Sequence, residues 1–240
     1  MSEQKKQRWF PLESNPTLVN EYISKLGFNT DLGYEFVDVF STEDWALQMI
    51  AQPVMAVLML YPLTPVQLEH EDKQSDIIAK PEDSSVWFMK QRIGNACGTI
   101  GLLHAIENCG PNLQDAVMKP GSWWSEFHSN TQGKTPLERA EILEGNDQIA
   151  TFHDQATNSS SNQTSRGNLD DDLITHFVAL VHVDGKLYEL DGRKAGPVCH
   201  GDTTPETLLA DACKVVQSFM ARDPNELRFT IMALAPSAGD

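Results

Sequence analysis

The sequence predicts one α+β domain spanning residues 1–240, and three features of the chain point to it. Apolar residues at helical spacing dominate the first two thirds. Strand-like runs are scattered among the helices instead of alternating with them one for one. Near the C-terminal third, Asp184-Gly185 joins two such runs, the strongest short signal for an antiparallel hairpin. Apolar residues make up 40 % of the chain, enough for a sizeable core and too many for wholesale disorder.

The elements follow in order. Asn15 can cap a helix whose first position is Pro16, whose apolar stripe is Leu18, Tyr22, Ile23 and Leu26, and whose stop is Gly27. Tyr34–Val39 reads as a strand, and Val54–Tyr61 as a strand buried on both faces. Between them Thr42 is the expected cap of a short helix carrying Trp45, Leu47 and Ile50. Residues 69–84 are charged and predict a surface excursion. A helix starts near Ala96 and runs to about Asn108, where Gly110-Pro111 ends it. Further helices are expected over Trp123–Phe127 and Pro136–Leu143. Residues 153–172, rich in Ser, Asn, Thr, Gln and Asp, predict a long mobile loop. Asn158 and Asn162 head N-x-S/T sequons there, without consequence in a cytosolic chain. Thr175–Val183 and Lys186–Leu190 are the hairpin strands; Thr204-Pro205 opens a helix to about Ala221, and Leu227–Leu234 closes the domain as a strand. No internal repeat is visible.

Charge and cysteine usage narrow the function classes. Asp and Glu outnumber Lys and Arg by 34 to 18, a formal charge of −16. Such a surface disfavours nucleic acid and anionic lipid and favours a basic partner or substrate, unless it serves solubility alone. The opening MSEQKKQRWF lacks a secretory apolar region, and Val54–Tyr61 is too short to span a bilayer, so no membrane association is expected. Cys97, Cys109, Cys199 and Cys213 show no CxxC spacing and read as free thiols in a reducing compartment, the cytoplasm. Cys199-His200 lacks a second pair at ligand spacing, so no metal and no cofactor is expected.

The stretch QRIGNACGTIGLLHAI carries the chemistry. With Asn95 as cap, Cys97 falls in the first helical turn, where unpaired N–H groups and the helix dipole favour thiolate, the nucleophilic form. Ala96 and Gly98 leave room for an approaching substrate. The plainer alternative is a buried Cys packing as a small hydrophobe, which suits Cys109 and Cys213 better. Gln91 and the Cys97 N–H could stabilise an oxyanion. For the base, seven histidines compete. A two-residue turn at Asp184-Gly185 makes paired residue numbers sum to 369, placing His176 opposite Arg193 and Asp191 diagonal to His176. Asp191 could then hold one imidazole nitrogen while the other faces the thiol. His182, opposite Leu187 and diagonal to Glu189, is a weaker rival.

Together, QRIGNACGTIGLLHAIEN, THFVALVHVDGKLYELDGRK and RWFPLESNP resemble the ubiquitin carboxyl-terminal hydrolase family of cysteine peptidases, its small single-domain isozymes most closely. The resemblance runs from Arg8 to Leu234 in the same order. It implies a papain-like fold with a central, mainly antiparallel sheet flanked by helices. It implies Gln91 as oxyanion donor, Cys97 as nucleophile, His176 as general base and acid, and Asp191 as orienter. The expected reaction is hydrolysis of amide, ester or thioester bonds at the C-terminal glycine of ubiquitin. By the same resemblance, residues 153–172 cross over the site and admit small or unfolded leaving groups. Pro11, Leu12 and Glu13 would contact ubiquitin, and Asp38 would pair with one of its basic groups; a ubiquitin-like modifier is a further partner. A monomer is expected. Two alternatives stand beside this: another Cys-His-Asp acyl-transfer enzyme, such as a transglutaminase or arylamine N-acetyltransferase, and a protein that binds and stabilises ubiquitin without turnover.

Overall fold

The computed structural model describes residues 7–72, 85–109, 114–162 and 174–237. Its elements are α1 (Pro16–Leu26), β1 (Tyr34–Asp38), α2 (Asp44–Leu47), β2 (Ala56–Pro62), α3 (Pro65–Asp72), α4 (Cys97–Glu107), α5 (Gln114–Val117), α6 (Trp123–Thr131), α7 (Pro136–Glu144), α8 (Asp147–Thr157), β3 (Thr175–Val183), β4 (Lys186–Leu190), β5 (Val198–Asp202), α9 (Leu208–Arg222) and β6 (Thr230–Pro236). The strands form a sheet in the order β1-β6-β2-β3-β4-β5, antiparallel at every pairing, so the expected α+β architecture holds.

Period-two alternation divides the sheet between two cores. Leu58, Phe177, Ala179 and Val181 face the core built around α1, α4 and α8, while Val57, Met59, Val178 and Leu180 pack with α9. Every residue of α4 is buried, polar Thr99, His104 and Glu107 included, and the helix lies against β2 and β3. That burial is what sets a helix start at the end of the central strands.

The α1 expectation is met in detail. Asn15 Oδ1 accepts from Thr17 N and Leu18 N, Pro16 begins the helix, and Gly27 closes it at φ +112°. The hairpin register is also as expected: Ala179 pairs Leu190 and Val183 pairs Lys186, across a turn with φ of 49° at Asp184 and 78° at Gly185.

Several local expectations are corrected. Glu43, not Thr42, occupies the N-cap of α2, and Thr42 instead accepts bonds from Gln217 of α9. Ala96, not Asn95, caps α4; Asn95 lies in the left-handed region at φ 62°. The charged excursion begins as helix α3, and its remainder, 73–84, lies outside the described residues, as does Gly110-Pro111. The long loop begins later than expected. Residues 153–157 are the last turns of α8, whose buried face is Ile149, His153, Ala156 and Thr157. The polar composition here comes from exposed Asp154 and Gln155 and also from buried His153 and Thr157; residues 163–173 are outside the described set. Helix α9 starts at Leu208, after a turn at 205–207, and β6 at Thr230, leaving Leu227 exposed. Strands β1 and β2 are shifted by one or two residues, and α5 and β5 had no expected counterpart.

Candidate active site

Cys97 is the first residue of α4, and its N–H precedes the first helical bond, Ile100 N to Ala96 O at 2.9 Å. The Cys97 amide is therefore one of the unpaired donors at a helix N-terminus. The side chain is 6 % exposed and hydrogen-bonds His176, with a further bond from the Phe177 backbone. Burial by itself pushes the thiol up; the bond and charge of His176 outweigh it and hold Cys97 below the usual thiol range. Cys109 and Cys213 go the other way, to about 12 and about 11, because burial acts there without a cation. Electrostatics thus single out Cys97 from the buried structural thiols.

His176 sits near the start of β3, opposite Tyr61 of β2. Its ring stands edge-on to Tyr61 at 6.0 Å, and Tyr61 meets Phe219 of α9 at 5.0 Å, so packing from the far core holds the imidazole in place. His176 Nε2 lies 2.7 Å from Asp191 Oδ1, which leaves Nδ1 for the thiol. Burial lowers the His176 pKa, but the Asp191 charge and hydrogen bond, helped by Cys97, raise it to about 10. Asp191 is fully buried; burial pushes its carboxyl up, and His176, the Arg193 N–H and Lys194 pull it down to about 2. The three groups form a hydrogen-bonded thiol–imidazole–carboxylate chain in which the Asp191 charge favours a proton on His176 and His176 favours its loss from Cys97.

The sum-of-369 register brought His176 and Asp191 together, although the ladder stops at Ala179–Leu190 and the expected His176–Arg193 pair does not form. Asp191 begins a turn closed by Lys194 N to Asp191 O at 3.0 Å, while Arg193 N donates to its Oδ1 at 2.8 Å. The rival pairing does not form: His182 Nε2 accepts from Gly185 N, and buried Glu189 pairs with Lys194 and His200.

Gln91 is tied to the same turn, its N–H donating to Gly192 O at 2.9 Å. Its Nε2 donates to Ile93 O at 3.2 Å, which orients the amide and leaves its second N–H available. Gly192 makes this approach possible. A Cβ there would lie 2.9 Å from Gln91 Cβ, 3.0 Å from Gln91 N and 3.0 Å from Ile100 Cγ2. Lys90 adds a second tie, its Nζ donating to Arg193 O at 3.0 Å and also to Lys194 O. Neither Lys90 nor Gly192 was picked out from the sequence; the Asp-Gly pair just past a strand end was the one signal available.

Gly98 has a different reason from the one expected. A Cβ on it would come 2.9 Å from Leu12 Cβ and 3.4 Å from Phe177 Cδ2, so its space is filled by Leu12 and not left for substrate. Leu12 is accordingly buried, whereas Pro11 and Glu13 beside it are partly exposed. Asp38 ends β1, away from the Cys97 chain, and lines a groove of about 560 Å³ with Glu21, Glu35 and Phe40. Partial burial raises its carboxyl pKa. Among the described residues no cluster of three or more His, Cys, Asp or Glu is arranged to hold a metal, and no helix is long and apolar enough to cross a membrane.

The family described as "Ubiquitin carboxyl-terminal hydrolase, family 1" matches residues 9–221. Ubiquitin carboxyl-terminal hydrolase 3 of Arabidopsis thaliana is 43 % identical over 230 residues, covering 95 % of this chain and 94 % of its own. Human ubiquitin carboxyl-terminal hydrolase isozyme L1 is 39 % identical over 229 residues, covering 95 % and 98 %. Among solved structures, the Trichinella spiralis UCH37 catalytic domain, bound to ubiquitin vinyl methyl ester, shares the fold with TM-score 0.73 at 22 % identity, covering 96 % of each chain.

Proposed function

The chain belongs to the ubiquitin carboxyl-terminal hydrolase family, and from that membership we propose that it hydrolyses amide, ester and thioester bonds at the C-terminal glycine of ubiquitin, with Cys97 as nucleophile. One observation carries the assignment of roles. Cys97 is the buried thiol whose pKa is driven down, by a histidine that a buried carboxylate orients.

In this mechanism His176 Nδ1 takes the Cys97 proton and the thiolate attacks the glycine carbonyl. The Cys97 N–H and the second Gln91 Nε2–H hold the oxyanion. The His176 imidazolium then gives its proton to the departing amine, alcohol or thiol. Neutral His176 next takes a proton from water, which attacks the thioester and releases ubiquitin and free thiol. Asp191 keeps its charge throughout and fixes the ring.

For binding, Pro11, Leu12 and Glu13 meet the substrate at the mouth of the site, Leu12 mainly by shaping its neighbours from the Gly98 pocket. Asp38 and the acidic groove beside it take a basic group of ubiquitin, which gives the charge of −16 a use. The segment between α8 and β3 limits leaving groups to small or unfolded ones. The catalytic unit is a single domain, supported by one sheet with a core on each face. The cytoplasm is its compartment, in keeping with four free cysteines.

A ubiquitin vinyl methyl ester probe tests the proposal. One covalent adduct is expected, absent in Cys97→Ala, alongside hydrolysis of a ubiquitin C-terminal amide. An unreacted parent protein, or an adduct that survives Cys97→Ala, refutes it. A ubiquitin-like probe run in parallel reads modifier preference.

A further inference from the structure

One buried imidazole has no part in the chemistry above. His153, on α8, is 2 % exposed and meets three other parts of the chain. Its Nε2 is 2.6 Å from the Phe10 carbonyl oxygen, and its Nδ1 is 2.9 Å from Thr99 Oγ1. A carbonyl only accepts, so Nε2 carries the hydrogen and donates it to Phe10, while Nδ1 meets the Thr99 hydroxyl. Thr99 Oγ1 lies 3.0 Å from the Tyr22 hydroxyl of α1, whose pKa burial drives upward, so the phenol keeps its proton to donate. Tyr22, Thr99, His153 and Phe10 thus form one hydrogen-bonded chain, and its last bond runs from His153 Nε2 to the Phe10 carbonyl. The ring is packed from both sides, 4.5 Å from Trp9 and 6.0 Å from Tyr22.

The two ends of this relay matter for the reaction. Thr99 lies two residues from Cys97 in the opening turn of α4. Phe10 immediately precedes Pro11, Leu12 and Glu13, and residues 9–15 belong to no helix or strand that would hold them. Further along, Leu12 sits over Gly98, again in the opening turn of α4. An apolar side chain would fill the His153 site without the cost of burying an imidazole; a directional bond at each nitrogen adds position.

We propose that His153 is a positioning residue for substrate binding: by holding the Phe10 carbonyl, it sets the 11–13 segment at a fixed place relative to the Cys97 helix. The proposal rests on the reading that residues 11–13 contact ubiquitin. His153 does not touch the reacting atoms, so its loss is felt in binding of the ground state and not in turnover.

The test is steady-state hydrolysis of a ubiquitin C-terminal amide by His153→Phe, which keeps a ring against Trp9 but has no donor, and by His153→Gln, whose amide can still reach Phe10. His153→Phe is expected to raise KM about five-fold, the share of one ordinary buried hydrogen bond, with kcat within about two-fold of the parent. His153→Gln should recover most of the loss. An unchanged KM in His153→Phe, or a fall in kcat alone, overturns the proposal. If His153→Phe does not fold, His153→Gln against the shorter His153→Asn decides: Asn cannot reach Phe10, so equal KM values overturn it. Glu13→Lys separates the underlying reading. Raised KM there with none in His153→Phe leaves the segment contact standing and removes His153; no effect of Glu13→Lys removes the contact and the proposal with it.

Discussion

Gly192→Ala perturbs the point where Gln91 and Asp191 are held together. The added methyl would lie 2.9 Å from Gln91 Cβ, 3.0 Å from Gln91 N and 3.0 Å from Ile100 Cγ2, against 3.4 Å or more for ordinary contact. Relief requires the 191–194 turn and the Gln91 backbone to part by about 0.5 Å, since two of the three neighbours belong to Gln91 itself. That motion also stretches the Gln91 N to Gly192 O bond from its 2.9 Å. Overpacking of this kind costs about 1–3 kcal/mol, or a Tm lower by about 2–12 °C in a chain of this size. If Gln91 and Asp191 act as proposed, a shift of about 0.5 Å between them predicts kcat lower by about ten-fold, taking a 1 Å misplacement as a hundred-fold loss. KM should stay within about two-fold, because the change removes no substrate contact. The assay is hydrolysis of a ubiquitin C-terminal amide well below Tm, paired with a thermal melt. Gly145→Ala serves as control, since a methyl there meets the Glu141 carbonyl at an ordinary 3.5 Å. A lower Tm with unchanged kcat would show that the close approach matters for packing and not for alignment. Unchanged values of both would refute the reasoning outright.

Two further outcomes follow from the electrostatics. The Asp191 carboxyl, held at about 2 against an ordinary 3.8, contributes about 2 kcal/mol of stability. Because the folded value is the lower one, that contribution is complete above pH ~4 and disappears as pH falls from 4 to 2. Urea titrations across that window should show a steeper fall for the parent than for Asp191→Asn; parallel curves would contradict the assignment. Asp38→Lys, which reverses a charge in the acidic groove, should raise KM for the ubiquitin amide by about five-fold while kcat holds. That effect should shrink in high salt, and a KM insensitive to both changes would remove Asp38 from the binding surface.

Much of the site was legible because it depends on short-range rules. A two-residue Asp-Gly turn admits one pairing register, which points Asp191 toward His176, and the 191–194 turn beyond the end of the ladder completes their approach. Asn15-Pro16 marked a helix start for reasons local to four residues. Where a rule needed knowledge of neighbours, it failed. Asn95 looked like a cap, but the chain turns there in the left-handed region at φ 62° and leaves the cap position to Ala96. Gly98 looked like an opening for substrate, and tertiary packing fills it with Leu12. His153 looked like loop, because α8 shows only a narrow apolar stripe under a polar exposed face.

The sequence alone determined the candidate inventory: a thiol at a helix start, an imidazole and a carboxylate near the open end of one hairpin, and an amide six residues before the thiol. These follow from backbone geometry over a few residues, which does not depend on the rest of the chain. Only the tertiary structure decided how those groups act on one another. The lowered Cys97 thiol, the raised His176 and the depressed Asp191 arise because β3, α4 and the 191–194 turn converge in a buried place where charges are weakly screened. The same convergence fixes Gln91 against Gly192 and Phe10 against His153. Contacts between residues a hundred positions apart depend on how the whole core packs, and no local pattern encodes them.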